Sequence, residues 1–337
     1  MICTRKKGLK VNKRDAVLDL LDSSKDQEYV PAGFFLHFDE VHHKGQPAID
    51  KHMEFFKYTG MDFVKIQYEV GFPPNPDIKE PKDWVNIPFF KKDFYQNQLD
   101  IAEGLVKAAK SEALVIMTLY SPFMMTQFTT QNLELISGHI KEDPGKFNKG
   151  MEIITDSLMI FVKECIRLGV DGFYTSTQGY EGFRSMGSDL FSECIKPFDL
   201  AVMEEIDRSC IFNILHICDY FGEYGDLTPF LDYPGHVINF GHRLGSKDVT
   251  GKEISRIFGR PFMGGLDRNG IMATGSRDDI RKSVEEVLAN KPDKFILGAD
   301  CTLPGEIDQK TLWENAKTAI SAAHAYSKGD RPEKRSK

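Results

Sequence analysis

The chain has 337 residues, 41% hydrophobic and 28% charged, the proportions of an ordinary globular protein, which excludes collagen, coiled coil and wholesale disorder. Its net charge of −7 argues against the basic face of a nucleic-acid binder, so no nucleic acid is expected as a partner. No run approaches the roughly 18 apolar residues of a membrane span, the basic N-terminus lacks the apolar stretch of a secretory signal, and six scattered cysteines make no disulfide scaffold, so no membrane and a reducing, cytoplasmic setting are expected.

Taken in chain order, residues 1–11 read as a flexible basic arm, followed by a helix near Arg14–Leu21. Apolar runs of strand length then recur at Val30–Phe38, Phe63–Tyr68, Ala113–Tyr120, Asp171–Thr177, Phe212–Cys218, His236–Gly241, Pro261–Asp267 and Lys294–Cys301. Several are nearly continuous rather than alternating, as in parallel strands covered on both faces. Helical stretches separate them: Pro47–Tyr58, Phe94–Lys110, Pro144–Leu168, Ser188–Arg208, Ser276–Asn290 and Gln309–Ser327. Asp143 before Pro144, and Ser276 before its run, are cap-forming residues in the right place to open helices. Residues 328–337 read as a solvated tail. Eight strands alternating with helices predict an α/β fold, a single (β/α)8 TIM barrel over residues 12–327 with an N-terminal helical extension. A doubly wound sheet competes, but no G-x-G-x-x-G or Walker A sequence is present.

Barrel chemistry sits at the C-terminal ends of strands. The first three predicted strands end near His37 and Asp39, near Tyr68 and Glu69, and near Tyr120 and Ser121. The next three end near Thr175 and Ser176, near His216 and Cys218, and near His242 and Arg243. The last two end near Asp267 and Arg268, and near Asp300 and Cys301. Polar groups there also serve loop backbones, so position alone does not make them functional.

The informative segment is Asn213-Ile214-Leu215-His216-Ile217-Cys218. His216 and Cys218 are two apart on a strand and share a face. Cys301 ends the last strand, so all three open onto the axial mouth of a closed barrel. One imidazole and two thiolates form a borderline-soft set suited to zinc, and three protein ligands leave the open position of a catalytic site. The alternative is that both cysteines are ordinary buried thiols, since free cysteine is among the most buried residue types. His42-His43, near Asp39 and Glu40, reads as a solvated loop rather than a second metal site.

With these motifs stand Phe262-Met263-Gly264-Gly265-Leu266-Asp267-Arg268 and the run Phe295–Cys301 followed by Thr302-Leu303-Pro304. In this order the chain resembles the uroporphyrinogen decarboxylase superfamily, and within it the zinc- and corrinoid-dependent methyltransferase branch, which includes methylcobalamin:coenzyme M methyltransferases. The resemblance implies a (β/α)8 barrel, a zinc ion on His216, Cys218 and Cys301, and methyl transfer between a corrinoid (methylcobalamin) on a partner protein and a thiol or methylated small molecule. It also implies an acidic fourth ligand, for which Glu181 is the nearest carboxylate; Gln178 or a water is the alternative. His37, Tyr68, Tyr120, His242, Asp267 and Arg268 are the expected substrate-binding residues. No D-x-H-x-x-G corrinoid motif is present, so the corrinoid is expected to arrive on a separate protein. The chain departs from the true decarboxylases: it lacks their R-Q-A-G-R motif and has no arginine between Arg14 and Arg167. A decarboxylating lyase acting on an acidic substrate and a non-catalytic zinc- or ligand-binding barrel are the alternatives. Methyl donor, direction of transfer and oligomeric state stay open.

Overall fold

The computed structural model describes residues 11–69, 71–181 and 187–327. The predicted basic arm, apart from Val11, and the predicted tail lie outside these residues. Seven parallel strands form one curled sheet: β1 (Phe63–Ile66), β2 (Leu114–Tyr120), β3 (Gly172–Thr177), β4 (Ile214–Ile217), β5 (Val237–Asn239), β8 (Phe262–Leu266) and β9 (Phe295–Ala299), in that spatial order. Each is buried along nearly its whole length, as their apolar runs require.

The predicted first strand, Val30–Phe38, is corrected to a single bridge between Ala32 and Leu297. Pro31 has no N–H to give to a ladder. The segment still lies between the two ends of the sheet, because Gly33 N donates to Leu297 O at 3.0 Å and Asp62 N donates to Ala32 O at 2.9 Å. A two-stranded hairpin of β6 (Arg243–Leu244) and β7 (Lys247–Asp248), which no sequence pattern predicted, stands outside the sheet.

The helices follow their signals. α1 (Lys13–Leu18) opens the described chain, and α2 (Gly45–Thr59) and α3 (Lys92–Ala109) flank β1. α4 (Pro122–Thr130) and α5 (Leu133–Glu142) are extra helices after β2. α6 (Pro144–Leu168) is capped by Asp143, which accepts from Lys146 N, and ends at Gly169 in the left-handed region. The predicted Ser188–Arg208 helix is two helices, α7 (Gly187–Cys194) and α8 (Lys196–Ser209). Pro197 accounts for the break, since proline fits only the first turn of a helix. α9 (Gly251–Phe258), α10 (Ile271–Thr274), α11 (Arg277–Ala289) and α12 (Gln309–Ser327) complete the outer layer. Among the described residues no helix is long and apolar enough to cross a membrane.

One device recurs at the N-terminal ends of the strands. The residue just before a strand accepts a backbone N–H from the neighbouring element: Asp62 from Ala32, Asp171 from Val115, and Asn213 from Phe173, at 2.8, 2.9 and 3.0 Å. Gly172 follows Asp171 because a Cβ there would lie 1.5 Å from Phe212 O. Asp171 is also gripped by both guanidinium nitrogens of Arg14, at 2.8 and 2.6 Å, so α1 is tied across the base of the sheet. This pairing predicts that Arg14→Ala lowers stability by about 1–3 kcal/mol, the worth of hydrogen bonds to a charged group. Lys110, 3.6 Å from Asp171, keeps the loss from being larger. A shift in the urea midpoint with an unchanged slope checks it.

Candidate metal centre and cavity

β4 sits between β3 and β5, with His216 in register with Ser176 and Asn239. Cys218 follows one residue past the end of β4, held by its own N–H on Thr177 O and by Tyr224 O–H on its carbonyl, at 3.0 and 2.9 Å. Cys301 follows β9 by two residues. The ligand atoms of His216, Cys218 and Cys301 all lie within 4.8 Å of one another. His216 Nε2 and Cys301 Sγ are 3.3 Å apart, close to the separation of about 3.5 Å that Zn–S and Zn–N bonds at a tetrahedral angle would set. Among the described residues this is the only group of three or more such side chains.

The electrostatics favour a cation. A hydrogen bond from Cys218, reinforced by His216 and Arg268, holds the Cys301 thiol far below its ordinary pKa despite burial. The same bond, together with burial, pushes Cys218 well up. The two sulfurs thus differ in how readily each gives up its proton, and a divalent cation would favour the deprotonated form of both. His216 Nδ1 is buried with no partner. Its ring is oriented instead by stacking on Tyr174, centroids 5.1 Å apart.

A cavity of about 610 Å³ opens above these groups. Of the residues predicted to bind substrate, His37, Tyr120 and Arg268 line it. Tyr68 does not: it is buried beneath, edge-on to Tyr120 and Phe161. His242 and Asp267 line a different pocket, on the outer side of β8. His242 sits at the base of the β6–β7 hairpin, where its carbonyl accepts from Val249 N, and Asp267 accepts from Asn269 N in its own loop. Arg268 is 3.1 Å from Asp300 and 3.3 Å from Asp219, so its charge is already matched. Asp39 bonds Gln309 and Glu69 bonds His37 at the rim, while His43 bonds the carbonyl of Phe38.

Glu181, the expected acidic ligand, is not in the cluster. Its carboxylate accepts from Gly179 N at 2.9 Å, a closure within its own loop. Gln178 stands beside the sulfur instead: its Nε2 donates to Cys218 Sγ at 3.2 Å, and Gln127 fixes its other end at 2.8 Å.

Lys65 is the residue that sequence reasoning left out of the site. It lies inside β1, is 5% exposed and lines the cavity. Its Nζ bonds Gln67 and lies over the rings of Phe35 and Tyr174, at 4.5 and 4.7 Å, with no carboxylate at ion-pair distance among the described residues. A lone lysine in the apolar run Phe63-Val64-Lys65-Ile66 was the signal. Burial lowers its pKa to about 7. The folded state therefore releases a proton that the unfolded chain holds up to about 10.4, so stability rises with pH between those values. In Lys65→Met that rise is expected to shrink, as measured by urea midpoints at pH 7.5 and 9.5.

Other proteins share this framework. A methyltransferase from Methanosarcina mazei matches with a TM-score of 0.70 at 12% identity, over 94% of this chain and 99% of that one. A B12-independent methionine synthase from Shewanella sp. W3-18-1, in complex with selenomethionine, matches with a TM-score of 0.57 at 13% identity, over 91% of this chain and 99% of that one. At these identities the likeness is one of fold. No curated protein matches the chain. The model of one family, uroporphyrinogen decarboxylase (URO-D), matches residues 48–326, and with most of its length inside that match the chain belongs to the uroporphyrinogen decarboxylase family.

Proposed function

We propose that the chain is a zinc-dependent methyltransferase, moving a methyl group between a corrinoid held by a separate protein and a thiol or methylated small molecule. The observation that carries this reading is the convergence of His216, Cys218 and Cys301 on the floor of a cavity large enough for a substrate. A nitrogen and two sulfurs fit zinc, and a three-residue set leaves a position for an exchangeable ligand. The names of the two similar structures, a methyltransferase and a methionine synthase, agree with methyl transfer, while the second is B12-independent and lends the corrinoid no support.

When bound, zinc would act as a Lewis acid that keeps a substrate sulfur deprotonated or polarises a methylated leaving atom. The chain's own residues do the rest. The hydrogen bond from Cys218 and the nearby His216 and Arg268 lower the pKa of the Cys301 thiol, which eases its loss of a proton to a metal. Tyr174 fixes the plane of the His216 ring. Gln178 donates to the Cys218 sulfur and stands where an acidic residue was expected. Tyr120, Phe128 and Met124 form an apolar wall that keeps water from the reacting atoms. Five described cysteines are free, which agrees with a cytoplasmic setting.

About one zinc per chain is expected in metal analysis of the purified protein. Cys218→Ala, His216→Ala and Cys301→Ala should each lower that content while circular dichroism stays native. A native protein that takes up no zinc would remove the basis of the reading. Cys218→Ala should also abolish methyl exchange with free methylcobalamin, and a zinc-loaded wild type that exchanges no methyl with any thiol or methyl ether would leave a non-catalytic barrel.

Uroporphyrinogen should not be converted to coproporphyrinogen. That substrate carries about eight carboxylates, and each buried charge without a cation costs several kcal/mol. Among the described residues the one arginine lining the cavity, Arg268, is already matched by Asp219 and Asp300. Coproporphyrinogen formation at the rate of a true decarboxylase would replace the methyltransferase reading with the lyase.

A further inference from the structure

The opposite end of the barrel carries a basic groove that plays no part in the reading above. It is about 760 Å³ and lies at the N-terminal ends of the strands, lined by His236 ahead of β5, Arg260 ahead of β8 and Asp293 and Lys294 ahead of β9. α9 closes one side through Lys252 and Arg256, one helical turn apart and so on one face. Four cations face one carboxylate there, in a chain whose net charge is −7.

The cations are not consumed by the protein. Lys252 and Arg256 make no ion pair among the described residues, while Ile254 and Phe258 bury the other face of the same helix. Among the described residues Arg260 hydrogen-bonds only the carbonyl of Leu231, at 3.5 Å through Nη2, and its Nη1 is buried with no hydrogen-bond partner; the charge of Asp207, which acts on both Arg260 and His236, lies beyond ion-pair distance. A buried guanidinium N–H without an acceptor is costly, and its fork is shaped to hold an oxyanion in two-point contact. His236 adds a neutral donor. Its Nδ1 accepts from Asn213 N at 3.0 Å, which leaves the proton on Nε2. Lys294 is the exception, spent on the carbonyls of Asp19, Asp22 and Lys25.

We propose that this groove binds a small molecule bearing a chain of phosphoryl groups, with Arg260 and Arg256 as its principal anchors and Lys252 and His236 beside them. A chain of phosphoryl groups offers several oxyanions to the cations that α9 and the strand ends both supply. Inorganic polyphosphate and a nucleotide share this chemistry. Leu20 and Leu21 on the groove wall offer an apolar surface that only a nucleotide's base would use.

Isothermal titration of the zinc-replete full chain with sodium tripolyphosphate, at about 50 mM salt so that exposed charges are not screened, tests it. Saturable one-to-one binding is expected, weakened about tenfold or more in Arg260→Ala and in Arg256→Glu, given the strength of bidentate charged hydrogen bonds. Arg256 is exposed, so its variant folds even if Arg260→Ala does not. Lys107→Ala, on the distant helix α3, should bind like the wild type. Equal affinity for ATP and tripolyphosphate would identify the phosphoryl chain as the ligand; tighter ATP binding would identify a nucleotide. No saturable binding up to about 1 mM, or binding that Arg256→Glu and Lys107→Ala weaken equally, overturns the proposal. These readouts are independent of methyl transfer.

Discussion

The candidate site depends on one buried amide. Asn239, at the end of β5, is fully buried and donates through Nδ2 to Met263 O on β8 and Ala299 O on β9, at 2.9 and 3.1 Å. Its Oδ1 accepts from the Tyr174 hydroxyl on β3 at 2.6 Å. A buried polar group is tolerated only when its bonds are made, and a fully satisfied network fixes one arrangement. Here the arrangement spans the interior of the curled sheet and pins the Tyr174 ring. His216 stacks on that ring and the Lys65 amine lies over it. The orientation of the imidazole is therefore inherited from the sheet interior rather than from the loops, and a site on such rigid elements is better held than one on loops.

Charge divides the cavity unevenly. Arg268 has two carboxylates, Asp219 and Asp300, and its backbone N–H also donates to Asp300 at 2.7 Å. It braces the loop after β8 against the end of β9, beside Cys301. Lys65 has aromatic faces and one amide oxygen in place of a carboxylate. A cation kept this way is poorly compensated, so its field is felt by whatever enters the cavity. The guanidinium is structural, while the amine, with a pKa lowered to about 7, can gain or lose a proton near neutral pH.

The strands were legible because buried parallel strands leave continuous apolar runs, and the strand period placed His216 and Cys218 on one face. Cys301 was legible as the polar end of the last run. What failed were inferences about loops and faces. Glu181 and Gln178 are three residues apart after β3, and only the path of the loop decides that the amide, not the carboxylate, meets the sulfur. His242 and Asp267 end strands as predicted, yet the hairpin after β5 and the turn after β8 carry them to the outer side of the sheet. α4 was missed because a run such as Phe123-Met124-Met125 has no polar face to reveal a helical period. Lys65 was passed over as a site residue because its one signal, a lone lysine inside an apolar run, is shared by lysines whose heads reach solvent.

The two ends of the strands are built on opposite principles. At the N-terminal ends, Asp62, Asp171 and Asn213 each stand just before a strand and take an N–H from the neighbouring element. Tyr29 and His324 further bind Asp62, and Arg14 binds Asp171. Their acceptor oxygens are met by donors, which lowers the energy of one chain path, although Asn213 Nδ2 is itself buried with no hydrogen-bond partner among the described residues. Toward the C-terminal ends stand, among the described residues, an imidazole with a bare nitrogen, two neighbouring sulfurs and a lysine with no carboxylate at ion-pair distance. Each is costly in the protein alone, and such cost persists at positions retained for chemistry rather than stability. The saturated base is what allows the sheet to carry the unsaturated mouth. Where the base departs from saturation, at Arg260, the same reasoning makes that departure a mark of a ligand.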